Sequence, residues 1–139
     1  MPLETLPAEF LFSITVNIGE IAPVVIGGAP FGTRIIVTGS GGTFEGPKMR
    51  GVVAQVAGGD WVTLRGDGVM DLDVRIVLTT DDGVPIFMRY TGVGKDGKLR
   101  TAVRFEVGDE RYAWLNAIQA VSHGATGKGN VSYDVYALS

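Results

Sequence analysis

From Gly58 to Leu78 the chain keeps a strict two-residue rhythm, GGDWVTLRGDGVMDLDVRIVL, and that rhythm restricts it to extended strands. Successive side chains of a strand point to opposite faces, whereas a helix repeats every ~3.6 residues. Trp61, Thr63, Arg65 and Asp67 share one parity, as do Asp71, Asp73 and Arg75. Val62 and Leu64, then Leu72, Val74, Ile76 and Leu78, share the other. Gly68 lies between the two runs and predicts a hairpin turn. Paired in register, the hairpin gathers Arg65, Asp67, Asp71, Asp73, Arg75 and Trp61 on one face.

The rest of the chain continues in the same vein. Phe10, Phe12, Ile14, Val16 and Ile18 alternate with Leu11, Ser13, Thr15 and Asn17, the pattern of a half-buried strand. Pro23, Gly27-Gly28 and Pro30 break the chain before a β-branched strand over Thr33–Thr38. Lys48–Val56 leads into an Ala57-Gly58-Gly59 turn, and Asp81-Asp82-Gly83 separates the central hairpin from Val84–Thr91. Gly92–Lys98 is predicted to turn into Leu99–Val107. Tyr112–Val121 fits either period, and the glycine-rich segments around it favour a strand. His123–Asn130 is predicted as a loop and Val131–Leu138 as the last strand. Nine or ten short strands in a chain with 21 glycines predict an all-β fold, a single antiparallel β-barrel domain over residues 1–139 with little helix. Closure removes the sheet edges that so few charged residues would protect poorly.

Composition narrows the partners. Charged residues make up only 19% of the chain against 45% hydrophobic, which predicts a homo-oligomer, a dimer first, to cover apolar surface. A net charge of −3 without an arginine-rich run argues against nucleic acid and anionic membranes. The absence of cysteine rules out disulfides, zinc–thiolate sites and a cysteine nucleophile, and a cytoplasmic location is expected. Residues 1–20 lack the pattern of a signal peptide, and no apolar run has the length of a spanning helix.

Several short motifs together resemble one family: Gly32-x-Arg34, Gly41-Gly42-x-Phe44-x-Gly46-Pro47-x-x-Arg50-Gly51, Gly59-Asp60-Trp61, Arg65-x-Asp67-Gly68, Leu72-Asp73-x-Arg75, Asp82-Gly83 and Trp114-Leu115-Asn116. In this order they are similar to the domain of unknown function DUF3237, also called UPF0311, over nearly the whole chain. The resemblance implies a compact antiparallel barrel related in shape to lipocalin-like barrels. It implies no particular reaction.

Two arrangements of the central hairpin remain open at this level. If the apolar parity fills the core, Arg65, Asp67, Asp71, Asp73 and Arg75 form a solvated face of weak ion pairs. If a partner subunit covers the apolar parity, the charged parity becomes the floor of a pocket. The expectation taken forward is a site near Trp61, Arg65, Asp73, Arg75 and Trp114 for a small, mostly apolar molecule with a carbonyl or acid group. Asp73 is the expected base, with Asp67 and Asp71 as rivals; Arg65 and Arg75 hold the oxygen, and Tyr90, Trp114 and Asn116 join Trp61 as ligand contacts. The chemistry this predicts is proton transfer in a lyase, isomerase or cyclase without cofactor or metal; the competing class is a non-catalytic binding or structural module. Gly92-Val93-Gly94-Lys95-Asp96-Gly97 matches a dinucleotide fingerprint but precedes a predicted strand rather than the required helix. Asp71-x-Asp73 lacks a third oxygen-rich segment for a metal, and His123, the sole histidine, is expected at a loop rim.

Overall fold

A computed structural model of the chain describes residues 1–55 and 58–139. Val56 and Ala57, the end of the expected Lys48–Val56 strand and the start of its turn, lie outside the described residues. Among the described residues eleven strands form: β1 (Ala8–Asn17), β2 (Val24–Ala29), β3 (Gly32–Thr38), β4 (Gly42–Glu45), β5 (Arg50–Val53), β6 (Gly59–Leu64), β7 (Met70–Thr80), β8 (Pro85–Lys95), β9 (Lys98–Glu106), β10 (Ala120–Thr126) and β11 (Asn130–Leu138). All described pairings are antiparallel. The ring β7-β5-β4-β1-β11-β10-β9-β8 closes through the β7–β8 pair into an eight-stranded barrel, and β6, β3 and β2 continue outward from β7 as three additional strands.

The fork at β7 shapes the molecule. Along one edge, Leu78–Thr80 pairs with β5, whereas Met70–Arg75 pairs with β6. At that end β6 and β3 line the lumen beside β7, through Asp60, Val62 and Val37. The three-strand extension is thinly covered: Val24, Val25, Ile26 and Phe31 are exposed.

Period two dictates which side chains enter. Leu72, Val74, Ile76 and Leu78 of β7, Ile86, Met88 and Tyr90 of β8, and Leu99, Val103 and Phe105 of β9 fill the interior. Each large apolar side chain so buried contributes about 1.5–3 kcal/mol before entropy is counted. Thr101 and Ser122, also inward, hydrogen-bond to each other across β9 and β10, so their burial leaves no orphan hydroxyl.

Four expectations are corrected in detail. Val24–Ala29, predicted as a break, pairs with β3 as a strand, because the glycines accommodate an irregular register between Ile26 and Ala29. Gly92–Lys95 continues β8, and the turn contracts to Asp96-Gly97, both at positive φ, as a two-residue hairpin between paired Lys95 and Lys98 requires. Most of His123–Asn130 is strand too, since β10 runs to Thr126. Tyr112–Ala117, predicted as the start of a strand over Tyr112–Val121, belongs to a 3₁₀ helix over Glu110–Ala117: Asp109 caps it by accepting the Arg111 amide at 2.9 Å, and fully buried Leu115 plugs the barrel end opposite the fork.

Candidate functional site

The central hairpin forms as expected, with Thr63 opposite Asp71 and Leu64 opposite Met70. Its faces settle the open alternative: Val62, Leu72, Val74, Ile76 and Leu78 point into the lumen, Leu64 next to the turn is exposed, and the charged parity points out. The charged set is therefore not a pocket floor inside the barrel, because enough apolar side chains face inward to fill the core without it. Arg65 is exposed and bonds Asp67 Oδ2 at 2.5 Å and Asp71 Oδ1 at 3.4 Å, while Asp67 Oδ1 accepts the Val69 amide at 3.1 Å. These groups close the β6–β7 turn. Asp73 and Arg75 lie on the outer face of β7, where the Arg75 guanidinium sits 5.8 Å from the Trp61 ring centroid.

The other expected contacts scatter. Trp114 is on the 3₁₀ helix at the far end, with Lys48 Nζ 5.4 Å over its ring. Asn116 has a structural use: its amide oxygen accepts the Val107 N–H at 2.8 Å, and its nitrogen donates to the Val107 carbonyl at 2.9 Å. His123 is exposed on β10. Only Tyr90 of the expected set reaches the lumen.

A cavity of about 150 Å³ occupies the fork end of the lumen. Its walls are apolar, chiefly Val16, Val62, Leu72, Val74, Ile76 and Leu99, and its titratable side chains are Asp60, Tyr90 and Tyr133. Asp60 follows the parity of Val62, so β6 turns it inward. Val74, its neighbour across β7, is also opposite Tyr90 on β8, which puts Asp60 and Tyr90 on either side of one valine in the same lateral row. Tyr133 reaches the row from β11 and meets Tyr90 edge to face, with ring centroids 5.1 Å apart. Gly124, opposite Tyr133 on β10, makes this possible, since a Cβ there would overlap the tyrosine ring.

The backbone around Asp60 is locally open. The β6–β7 register holds at Asp60–Val74 and resumes at Thr63–Asp71, with Trp61 and Val62 unpaired between them. Side chains take up the freed groups: Asp60 Oδ1 accepts the Asp73 amide at 3.1 Å, and Arg34 Nη1 donates to the Trp61 carbonyl at 2.9 Å. Arg34 and the Asp73 backbone thus fix the strand that presents the carboxylate.

Burial dominates the electrostatics. Desolvation pushes the Asp60 carboxyl up to about 6, against the lowering effect of its bond from the Asp73 amide. Tyr133 is raised to about 12, also by burial, though the neighbouring Tyr90 hydroxyl eases its ionisation. Tyr90, the more enclosed, is raised well above the usual phenol value, first by burial and then by Tyr133. The Asp60 charge acts on both phenols. Among the described residues no cation lines this cavity. The arrangement offers a carboxyl that exchanges a proton near neutrality beside a pair of phenol donors, in a space that favours a neutral apolar guest. Among the described residues no three His, Cys, Asp or Glu side chains gather to hold a metal.

Sequence reasoning named Tyr90 and passed over Asp60 and Tyr133. The signal was present: Asp60 is a carboxylate on the otherwise apolar parity of β6.

Residues 6–97 and 93–138 match the family described as a protein of unknown function, DUF3237, and the chain belongs to that family. A UPF0311 protein of Bradyrhizobium diazoefficiens is 30% identical over 95% of this chain and 96% of its own length. A crystal structure of a β-barrel-like protein from Acinetobacter baumannii matches with a TM-score of 0.89 at 27% identity, covering 99% of both chains. More distantly, a hydroalkoxylation enzyme of Penicillium herquei is 29% identical over 81% of this chain and 70% of its own.

Proposed function

We propose that this DUF3237 barrel binds a small, neutral, mostly apolar molecule in its lumen and moves a proton on it, with Asp60 as acid–base group and Tyr133 as hydrogen-bond donor. The observation that carries the reading is a carboxyl raised to about 6 inside an apolar cavity that holds no cation and two phenols. At pH 7 roughly a tenth of such a group keeps its proton, so it can both accept and return one. The reaction class is lyase, isomerase or cyclase. The acid group expected on the ligand is dropped, since nothing in the lumen would neutralise it.

The likeness to a hydroalkoxylation enzyme favours ring closure by addition of a hydroxyl to an alkene. For an alkene conjugated to a carbonyl, Asp60 takes the hydroxyl proton as the oxygen bonds to one alkene carbon. Negative charge then gathers on the carbonyl oxygen, where Tyr133, backed by Tyr90, donates a hydrogen bond. Return of the proton to the other carbon restores Asp60. The O–H and π bonds broken are balanced by the C–O and C–H bonds formed, with no change of oxidation state overall.

The test is a panel of neutral phenols and alcohols that each carry an alkene conjugated to a carbonyl, incubated in D₂O and read by mass spectrometry for ring closure with one carbon-bound deuterium. Turnover by the native protein is expected to fall about 100-fold or more in Asp60→Asn, the scale of a lost general base, and by about 100-fold in Tyr133→Phe. Activity within about twofold of native in Asp60→Asn would remove Asp60 from the mechanism.

A further inference from the structure

On the outer face of the barrel, Arg75 of β7 stands directly opposite Arg89 of β8, and Arg89 directly opposite Arg104 of β9. All three are exposed, with the parity that leaves the lumen to Val74, Tyr90 and Val103. Like charges directly opposite each other in a sheet oppose folding, and strands normally alternate them with acids. The chain's other arginines are engaged: Arg34 with the Trp61 carbonyl, Arg50 with Asp81, Arg65 with Asp67 and Asp71, Arg100 with the Leu99 and Gly124 carbonyls, Arg111 with Asp82 and Asp109. Among the described residues, Arg75, Arg89 and Arg104 have no hydrogen bond or ion pair through their guanidinium groups; the Trp61 ring centroid lies 5.8 Å from the Arg75 guanidinium. Asp73 and Glu106 flank the row, two residues along β7 and β9 respectively, and neither forms an ion pair with it. A concave surface of about 340 Å³ runs along the row from Asp73 and Arg75 to Arg104 and Gln119.

The geometry points to an anion-binding site on this outer face, separate from the lumen, that takes a small ligand carrying two or more phosphoryl groups. Across three neighbouring strands the row spans roughly 10 Å. Planar guanidinium forks set at inter-strand spacing engage several phosphoryl oxygens at once, and a single-charged anion meets only one or two of them. Arg89 is central and takes part in every such contact. Asp73 and Glu106 bound the row and select against an anion that extends beyond it.

Inorganic tripolyphosphate, titrated calorimetrically into the native protein at low salt, tests this, with inorganic phosphate for comparison. The expected result is saturable one-to-one binding of tripolyphosphate that weakens about tenfold or more in Arg89→Gln and in Arg104→Gln, and by less than about twofold in Arg50→Gln, an exposed arginine outside the row. Inorganic phosphate is expected to bind at least about tenfold more weakly than tripolyphosphate. Without ligand, Arg89→Gln is expected to melt no lower than native, since it removes two like-charge contacts and no bond. Equal affinities in Arg89→Gln and Arg50→Gln, or no saturation by the native protein at about 10 mM, would overturn the site. The lumen reading is untouched by either result, because Asp60 and Tyr133 play no part in this titration.

Discussion

Asp60→Asn is expected to stabilise the protein at neutral pH while disabling it. The carboxyl stands at about 6 in the folded chain against an ordinary 3.8. Between those two values the unfolded chain has released its proton and the folded chain still holds it. Stability from this group therefore falls as pH rises through the window and stays lower above it. At about 1.36 kcal/mol per pH unit the gap amounts to about 3 kcal/mol, and partial contact with water reduces that to about 2. Asparagine keeps an oxygen to accept the Asp73 amide and carries no charge to desolvate, so the variant escapes the penalty. Tyr90 and Tyr133, which line the cavity with Asp60, and Asp73, whose charge also acts on it, are retained. Urea unfolding of both proteins from about pH 3.5 to 8 is the assay. The difference is expected near zero at the acid end, growing in favour of the variant to about 2–3 kcal/mol above pH 7, with a melting temperature roughly 6–10 °C higher. A difference independent of pH, or a native protein more stable than the variant at pH 8, would refute the claim that Asp60 is held in a desolvating cavity.

Gly124→Ala places a methyl group against the Tyr133 ring and the Ser132 carbonyl. It is expected to cost about 1–3 kcal/mol in urea unfolding and to reduce ring closure by moving the phenol. Asn116→Ala removes both bonds to Val107 and is expected to lower stability by about 1–3 kcal/mol, with affinity for a lumen ligand within about twofold of native by calorimetry. An equal loss of ligand affinity would return Asn116 to the binding site.

Much of the fold is legible in the sequence because a barrel this small is built from period-two strands. The rhythm of Phe12–Val16, of the central hairpin and of Leu99–Val107 reappears in β1, in β6 and β7, and in β9, while a bulge between Phe10 and Phe12 buries Leu11 and leaves Phe10 exposed. Local propensity misled where tertiary partners decided. Val24–Ala29 is glycine-rich, yet β3 supplies an edge for it. The 3₁₀ helix forms where Asp109 caps it and Leu115 finds the barrel's open end, neither of which periodicity encodes. For the site, attention went to the residues richest in charge, and those line the outside. The lumen residue that matters is a lone acid among apolar neighbours of its own parity. Tyr133 was harder to find, because only closure of the barrel brings β11 against β8 across the lumen.

The central claim, a proton-exchanging carboxyl inside an apolar ligand cavity, is tested most directly by following the Asp60 side-chain carbon through a pH titration by NMR, with the lumen empty and then filled by a neutral alkenyl phenol. The account predicts a midpoint at about 6 that rises further when the ligand displaces water from around the carboxyl. A midpoint at the ordinary value of 3.8, or one that does not move when the ligand binds, would contradict it.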